Sequence, residues 1–330
     1  MVRLFRRLLT GVCVVMLACV SPRAATAGPT LLIDDASGRV LYAEDADQLW
    51  YPASLTKIMT AYLAFRAVRE GRLAMDKKIP VSERANKMPA SKIGLPVGAE
   101  MGLELAIRTV IIKSANDVSV MLAEAIDGSV EGFVANMNRT ARRLGMTSTT
   151  FENPNGLPAA GQMTTARDLA LLTRAVVREF PEHLHYWATP TVRVGRARLR
   201  SQNALLRSYE GATGFKTGFI CDSGFNIVAT AERDGRRLIA IVLGESSSAD
   251  RTARARALLD HGFKRFAWKM FLQSPTVAAL PKGTSSPSAP SVRSSIRSWD
   301  CRRRRTKPRR TTASRPKPQA AQVRGQSVQR

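Results

Sequence analysis

The sequence predicts an α/β fold in which one sheet layer is assembled from distant segments, with a helical region inserted between them. Two short β-like runs lie near the start, at 30–34 and 40–43, and several more follow residue 191. Between these ends, residues 104–180 carry apolar side chains mostly at helical spacing. Strands at both ends and helices between them therefore predict one α/β domain.

Turn and period signals predict the individual elements in chain order. Residues 35–39 form the turn of an opening hairpin, and a helix follows from about 54 to 69. The helical region contains helices at 133–144 and 165–177, separated by a loop at 151–162. Later strands are expected at 192–194, 212–219, 225–231 and 237–243, with a hairpin turn at Asp234-Gly235 and a closing helix over 251–263.

The formal charge of +25 is unevenly distributed along the 330 residues. Residues 281–330 contain fourteen Lys or Arg and one acid, Asp300, which gives +13. Residues 1–27 contribute +4, so residues 28–280 carry only +8. The excess charge therefore belongs to the ends of the chain, and no specific nucleic-acid partner is expected.

Composition divides the chain into three parts. Residues 1–27 read as a signal peptide, with a basic start, an apolar run at 8–20 and an Ala-x-Ala site at 25–27. Residues 28–275 are predicted to form the folded domain. Residues 276–330 are rich in Ser, Pro, Thr and Arg and are predicted to form a basic disordered tail. The protein is thus expected to be exported, to the periplasm or cell envelope, with peripheral membrane attachment left open.

The cysteines and histidines of the sequence indicate neither a structural disulfide nor a metal site. Cleavage after Ala27 would leave Cys221 in the folded domain and Cys301 in the predicted tail, so no structural disulfide is expected. His183 and His185 have no nearby Cys, Asp or helix-spaced partner, and no metal site is expected. The sequence also lacks an evident Ser-His-Asp grouping and a glycine loop for phosphate.

One hydroxyl and one amine stand out at the start of the predicted helix 54–69. Ser54 and Lys57 share a helix face, off an apolar stripe formed by Leu55, Ile58, Met59, Tyr62 and Leu63. A serine beside a lysine is a nucleophile beside a potential base, and burial would lower the pKa of the amine toward the working range. Ser-x-x-Lys also arises by chance roughly once in a chain of this length, so the pair needs support from elsewhere.

Two further motifs follow in order, namely Ser114-Ala115-Asn116 and Lys216-Thr217-Gly218. The order Ser-x-x-Lys, Ser-x-Asn, Lys-Thr-Gly resembles the penicillin-recognising serine enzymes. The residues around each motif resemble the D-alanyl-D-alanine carboxypeptidases, the low-molecular-weight penicillin-binding proteins, over about 28–268. Matching segments include 52–60, 114–117, 151–157, 164–170, 216–218 and 223–226. Many members carry a small β-domain and an anchoring helix after the catalytic domain, and neither is recognisable here.

The resemblance implies a penicillin-binding/β-lactamase-like transpeptidase fold, with an antiparallel sheet flanked by helices and an inserted helical region. It makes 28–275 a D,D-peptidase catalytic domain and the protein a serine-type D-Ala-D-Ala carboxypeptidase. No metal or organic cofactor is implied. The implied partners are the D-Ala-D-Ala end of peptidoglycan stem peptides and, as inhibitors, β-lactams.

The resemblance also implies a role for each motif residue. Ser54 is the nucleophile and Lys57 its base, with the charge of Lys216 helping to lower the pKa of Lys57. Ser114 relays a proton to the leaving amine, and Asn116 fixes Lys57 and the substrate amide. The terminal carboxylate of the substrate would bind Lys216 and Thr217, with Gly218 allowing close approach. The implied oxyanion hole consists of the backbone N–H groups of Ser54 and Phe219.

Three other functions are weighed against the carboxypeptidase. A D,D-endopeptidase would use the same residues on cross-linked peptides, and the motifs do not separate the two. A class A β-lactamase needs a deacylating Glu, and no Glu-x-x-x-Asn lies between Asn116 and Lys216. An inactive protein that binds wall polymers through its basic tail is disfavoured because all five catalytic side chains are present. The tail itself is expected to make weak electrostatic contact with anionic membrane or wall polymers.

Overall fold

The structure is a computed structural model that describes residues 28–264, 273–283, 286, 288–296 and 301. The predicted signal peptide and most of the predicted tail lie outside these residues. Among the described residues, no helix has the length and apolar character needed to cross a bilayer.

A five-stranded antiparallel sheet is built from both ends of the domain, as predicted. Its strand order is β2-β1-β9-β8-β7, so β1 pairs with β2 on one side and, on the other, with β9, more than 200 residues later. The strands among the described residues are β1 (Thr30–Asp34), β2 (Val40–Glu44), β3 (Lys78–Pro80), β4 (Glu100–Gly102), β5 (Thr191–Val194), β6 (Ala197–Arg200), β7 (Ala212–Ile220), β8 (Gly224–Arg233) and β9 (Arg236–Glu245).

Helices pack against this sheet and fill the segment between its two halves. The described α-helices are α1 (Lys57–Arg69), α2 (Glu83–Asn86), α3 (Leu103–Ile112), α4 (Asn116–Asp127), α5 (Val130–Arg143), α6 (Ala166–Glu179), α7 (Leu184–Ala188), α8 (Leu205–Ser208) and α9 (Ser248–Lys264). Short 3₁₀ turns at Ala53–Thr56 and Pro181–His183 precede α1 and α7. The fold is α/β with an antiparallel sheet and flanking helices, as predicted.

Helix α1 runs through the middle of the core. Ten of its thirteen residues are buried, including Lys57 and Tyr62. A helix buried on nearly every side is surrounded by other elements, and α1 packs on α3, α4, α5 and α6. Its N-terminal end is therefore held rigidly, which suits a residue that must be positioned for chemistry.

Two local predictions need correction. Ser54 was expected in the opening turn of a helix, but it lies in the 3₁₀ turn that precedes α1. The run 192–194 was expected in the main sheet, but it pairs with β6 as a separate two-stranded ribbon. By contrast, the tight turn at Asp234-Gly235 joins β8 and β9 as predicted, with both residues in the left-handed region.

The described residues of 273–301, here called the C-terminal strap, pack against the domain rather than forming a disordered tail. Val277 donates a backbone hydrogen bond to Gly38 at 2.8 Å and is fully buried. Arg167 donates to the backbone oxygens of Val277, Leu280 and Pro281. The domain boundary predicted at 275 is therefore wrong for these residues. Their polar composition did not indicate packing, but backbone and side-chain hydrogen bonds hold them against the domain.

The strap is also joined to the domain by a disulfide. Cys221 and Cys301 are bonded, contrary to the expectation that they would remain apart. That expectation came from assigning Cys301 to a disordered tail. The described residues before Cys301 instead return to the turn between β7 and β8. There, Val292 donates to the Asp222 backbone oxygen at 3.0 Å, and Arg293 pairs with the Asp222 carboxylate at 2.7 Å.

Candidate active site

The segment that carries Ser54 is bent sharply just before α1. Ala53 has a φ of +49°, a conformation that costs a non-glycine residue about 1 kcal/mol. Gly156 packs directly against this bend. The approach is so close that a Cβ at that position would lie 1.9 Å from the Ala53 carbonyl oxygen. The bend turns Ser54, which is half-buried, toward an open cleft.

Lys57 is fully buried and reaches back to Ser54. Its Nζ lies 3.0 Å from Ser54 Oγ and 2.8 Å from Asn116 Oδ1, and it also contacts the backbone oxygen of Asn155. The amide and backbone oxygens can only accept hydrogen bonds. A neutral lysine has two N–H groups for these two acceptors, and its lone pair is then left to face the Ser54 hydroxyl.

The surroundings of Lys57 favour this neutral form. Burial lowers the pKa of Lys57 well below its ordinary value, and the charge of Lys216 lowers it further. The carboxylate of Asp117 acts in the opposite direction on the same pKa. The predicted effect of Lys216 on the pKa of Lys57 therefore has the expected direction, although burial is the larger cause.

Ser114 and Asn116 line the same cleft, just before and at the start of α4. Ser114 has a φ of +64°, and its buried Oγ has no hydrogen-bond partner among the described residues. A buried hydroxyl without a partner costs about 1–3 kcal/mol. Such a group, lining the cleft beside Ser54, is suited to exchange a proton with a bound molecule.

Asn116 is fixed in the orientation that presents its oxygen to Lys57. Its Nδ2 donates to the Pro89 backbone oxygen at 3.0 Å, and its backbone N–H donates to Ser91 at 2.7 Å. The neighbouring carboxylate of Asp117 accepts hydrogen bonds from the backbone N–H groups of Ile93 and Gly94. The loop between α2 and β4 is thereby tied to the residues that line the cleft.

The third motif lies on β7, the edge strand that borders the cleft. Lys216 and Thr217 are buried, and Thr217, Gly218 and Phe219 line the cleft with Ser54. A Cβ on Gly218 would lie 3.1 Å from the Ser54 backbone nitrogen. Glycine therefore allows the strand to pass close to the nucleophile.

Two buried cations, Lys216 on β7 and Arg251 on α9, have no carboxylate partner among the described residues. Lys216 donates only to the Thr217 backbone oxygen, at 3.2 Å, and burial with the nearby charge of Arg251 lowers its pKa to about 7. Arg251, on α9, is 3% exposed. Its Nη2 donates to the Gln202 backbone oxygen and to Ser248 Oγ, while its Nε has no hydrogen-bond partner in the part of the chain that the structure describes. Burying two unpaired cations is unfavourable, so this end of the cleft is suited to bind an anion.

The cleft itself has a volume of about 250 Å³. Its lining brings together residues from all three motifs: Ser54, Ser114, Asn116, Thr217, Gly218 and Phe219. Of the predicted site residues, Lys57 lies behind Ser54 and Lys216 behind Thr217, both below the surface. The structure thus gathers all eight predicted residues around one cleft.

Sequence analysis gave no role to three residues that shape this site. Asn155 lies in the matching segment 151–157, but its contact with Lys57 is through a backbone oxygen, which any residue type could supply. Arg251 was assigned only to a closing helix, yet it lies close enough to Lys216 for its charge to lower the pKa of Lys216. Asn226 bridges the Tyr51 backbone oxygen and the Gly244 backbone N–H, which fastens the nucleophile segment to the sheet.

Comparison with known proteins gives one consistent family. Residues 17–247 match the family model Peptidase_S11, described as D-alanyl-D-alanine carboxypeptidase. The chain is 32% identical over 276 residues to the D-alanyl-D-alanine carboxypeptidase DacF of Bacillus subtilis, covering 79% of this chain and 68% of that protein. It is 37% identical over 243 residues to DacC of Escherichia coli, covering 72% of this chain and 61% of that protein.

Solved structures give the same relationship. The ampicillin-bound penicillin-binding protein D2 of Listeria monocytogenes matches with a TM-score of 0.67 and 33% identity, covering 72% of this chain and 97% of that one. The matched region therefore corresponds to nearly all of this smaller relative. It spans about two thirds of the longer curated relatives.

Proposed function

Because the chain belongs to the D-alanyl-D-alanine carboxypeptidase family, we propose that it removes the terminal D-alanine of peptidoglycan stem peptides through an acyl-enzyme on Ser54. The observation that carries this proposal is the contact of Ser54 with a buried Lys57 whose other two partners are obligate acceptors. In the neutral form that burial favours, Lys57 presents a lone pair to the serine hydroxyl.

The substrate carboxylate binds at the end of the cleft next to Lys216 and Arg251. The two buried cations would attract a negatively charged carboxylate but not a neutral peptide end. Thr217 adds a hydroxyl in the cleft wall. Binding there sets the substrate along β7, as one more strand on the free edge of the sheet, with its scissile carbonyl near Ser54.

Acylation then proceeds in two proton-coupled steps. Ser54 Oγ attacks the carbonyl carbon while Lys57 takes the hydroxyl proton, and the negative charge on the carbonyl oxygen is stabilised by the backbone N–H groups of Ser54 and Phe219. The C–N bond breaks as Ser114 relays the proton held by Lys57 to the departing D-alanine nitrogen, which leaves Lys57 neutral again. Water, activated by Lys57, hydrolyses the Ser54 ester and restores the free hydroxyl.

This function is tested by following D-alanine release from a synthetic pentapeptide that ends in D-Ala-D-Ala. Wild-type protein is expected to release one D-alanine per peptide, and Ser54→Ala none. A cross-linked peptide in a parallel reaction tests the endopeptidase alternative. Cleavage of the cross-link without release of D-alanine from the pentapeptide would replace the carboxypeptidase assignment with the endopeptidase one.

We further propose that the protein acts in the cell envelope and that its basic end contacts anionic polymers there. The Lys and Arg residues after Cys301 support this proposal, since clusters near an anionic surface contribute about 1 kcal/mol each. Deleting 302–330, which leaves the strap and its disulfide intact, is expected to reduce sedimentation with anionic vesicles or sacculi at low salt. Equal sedimentation of the two proteins would contradict this proposal.

A further inference from the structure

The two-stranded ribbon of β5 and β6 carries positive charge that no acid on the ribbon balances. No Asp or Glu lies between Glu182 and Glu210, and the arginines of this stretch are Arg193, Arg196, Arg198, Arg200 and Arg207. The first four, here called the arginine face, are exposed. None of these four forms a hydrogen bond or an ion pair with a described residue. The mechanism proposed above uses none of them.

The backbone register gathers these arginines on the solvent side of the ribbon. Arg193 and Arg198 lie directly opposite each other across the two strands, and Arg200 follows two residues after Arg198. The Cβ atoms of directly opposite residues are about 5 Å apart. Since successive residues of a strand point to opposite faces, the residues that alternate with the arginines pack against the hydrophobic core: Val192, Val194 and Leu199.

This concentration of like charge is unfavourable in the free protein. Like charges directly opposite each other on a sheet are destabilising, and Arg196 and Arg200 add to the repulsion between Arg193 and Arg198. A planar guanidinium binds a carboxylate or a phosphate through two parallel hydrogen bonds. Several guanidinium groups side by side therefore suit a ligand that carries several such anionic groups.

The arginine face is continuous along the chain with the active-site cleft. Strand β6 ends at Arg200, and Gln202, two residues later, lines the cleft. The Gln202 backbone oxygen also accepts a hydrogen bond from Arg251, the buried cation at the end of the cleft where the substrate carboxylate is proposed to bind. A polymer with one peptide end in the cleft can therefore reach the arginine face with its neighbouring groups.

An anionic bilayer is the other partner to consider, and the ribbon suits it less well. Elements that bind at a bilayer surface combine basic residues with large apolar side chains that enter the lipid. On this ribbon, the larger apolar side chains pack against the core, and the exposed residues that accompany the arginines are Gly195 and Ala197. The observations therefore favour a hydrated polyanion.

We propose that the arginine face binds carboxylates of the same polymer whose peptide end occupies the cleft. Every stem peptide that ends in D-Ala-D-Ala bears a terminal carboxylate, so a polymer that carries many of them is a polyanion. Binding of neighbouring peptides at the arginine face raises the local concentration of peptide ends at the cleft. The inference rests on the proposed carboxypeptidase function and adds to it a preference for carboxylate-rich, polymeric substrate.

The test uses two soluble peptides that differ only in charge at a distance from the scissile bond. Both are acetylated and end in four glycines followed by L-alanyl-D-Ala-D-Ala, and they begin with four L-glutamates or with four L-glutamines. The glycine spacer reaches up to about 14 Å when extended. At low salt, wild-type protein is expected to show a kcat/KM about three- to tenfold higher for the glutamate peptide, and this ratio should fall toward one as salt screens the charges.

The double substitution Arg193→Gln and Arg198→Gln should bring the ratio close to one at low salt, chiefly by lowering kcat/KM for the glutamate peptide. The matched control is Arg139→Gln with Arg142→Gln. It removes the same charge from two exposed residues of α5 that do not line the cleft. The control should preserve the wild-type ratio.

Three results would overturn the arginine face and leave the carboxypeptidase assignment intact: equal kcat/KM for the two peptides with wild-type protein, a ratio that survives the ribbon substitutions, or an equal loss of the ratio in the control. If the ratio survives while binding to anionic phosphatidylglycerol vesicles is reduced by the ribbon substitutions alone, the surface belongs to a membrane instead. Failure to release D-alanine from either peptide would overturn the proposed function, and this inference with it.

Discussion

Lys57 Nζ lies 3.0 Å from Ser54 Oγ, and its other two partners are the neutral oxygens of Asn116 and Asn155. A lysine held for its charge would be expected to pair with a carboxylate. Burial lowers the pKa of Lys57, and the neutral amine can give its two hydrogens to these oxygens and offer its lone pair to the serine. The proposed mechanism depends on this geometry, and the following predictions test its parts.

Lys57→Arg is expected to lower the rate of Ser54 acylation by about 10²–10⁴-fold although the positive charge is retained. A guanidinium stays protonated at all relevant pH values and cannot take the serine proton. The measurement is the rate of acylation by a chromogenic β-lactam under single-turnover conditions. A variant that keeps most of the wild-type rate would show that Lys57 serves only as a charged partner.

The pH dependence should report the state of Lys216, whose pKa is lowered to about 7. Below this value Lys216 is charged and attracts the substrate carboxylate, and above it the attraction is lost. We therefore expect kcat/KM for D-Ala-D-Ala peptides to fall as pH rises through about 7, with a weaker fall for peptides whose terminal carboxylate is amidated.

Lys216→Arg provides the control for this assignment. A guanidinium remains charged throughout the range, so the fall near pH 7 should disappear even if the maximal rate is lower. Persistence of the same fall in the Arg variant would assign it to another group. Arg251 is the neighbouring cation and would then be the next residue to replace.

Gly156→Ala tests the support behind the nucleophile. Gly156 has a φ of +83°, and a Cβ there would lie 1.9 Å from the Ala53 carbonyl oxygen. Gly235→Ala is the matched control, since its φ is +71° but no atom lies within 4 Å of the added Cβ. Both changes should cost about 1 kcal/mol of unfolding free energy for the backbone conformation, and only Gly156→Ala should also sharply reduce acylation. Equal acylation rates in the two variants would contradict the supporting role.

Cys301→Ser tests the attachment of the strap. The bond to Cys221 closes a loop of 80 residues, and its loss should lower the unfolding free energy by about 2–4 kcal/mol. Urea denaturation of the oxidised wild-type protein and the variant measures the difference. Cys13 and Cys19 are removed with the predicted signal peptide, so purified mature protein should contain no free thiol. A full titre of two thiols in non-reduced protein would disprove the bond.

The sequence predicted the parts of this structure that depend on local pattern. The β8–β9 hairpin followed from Asp234-Gly235 between two apolar runs, and the three motifs identified the residues that line the cleft. The left-handed conformation of Ala53 was not predictable, because alanine rarely adopts it and the packing against Gly156 is a tertiary contact.

The strap was missed for a different physical reason. Its attachment comes from hydrogen bonds to Arg167 and Asp222 and from one disulfide, with few buried apolar side chains. Hydrophobic pattern does not reveal such contacts, since the partners are far apart in sequence. Arg251 was missed likewise, because its significance lies in its position beside Lys216 rather than in a motif.

The most direct test of the central claim is the site of covalent attachment of a labelled penicillin. The mechanism predicts one label per protein on the peptide that contains Ser54, and no label in Ser54→Ala, whose fold should be unchanged because Ser54 is half-buried at the cleft. Mass spectrometry of the digested adduct locates the label. A label on any other residue, or one that persists in Ser54→Ala, would contradict the assignment of Ser54 as the nucleophile.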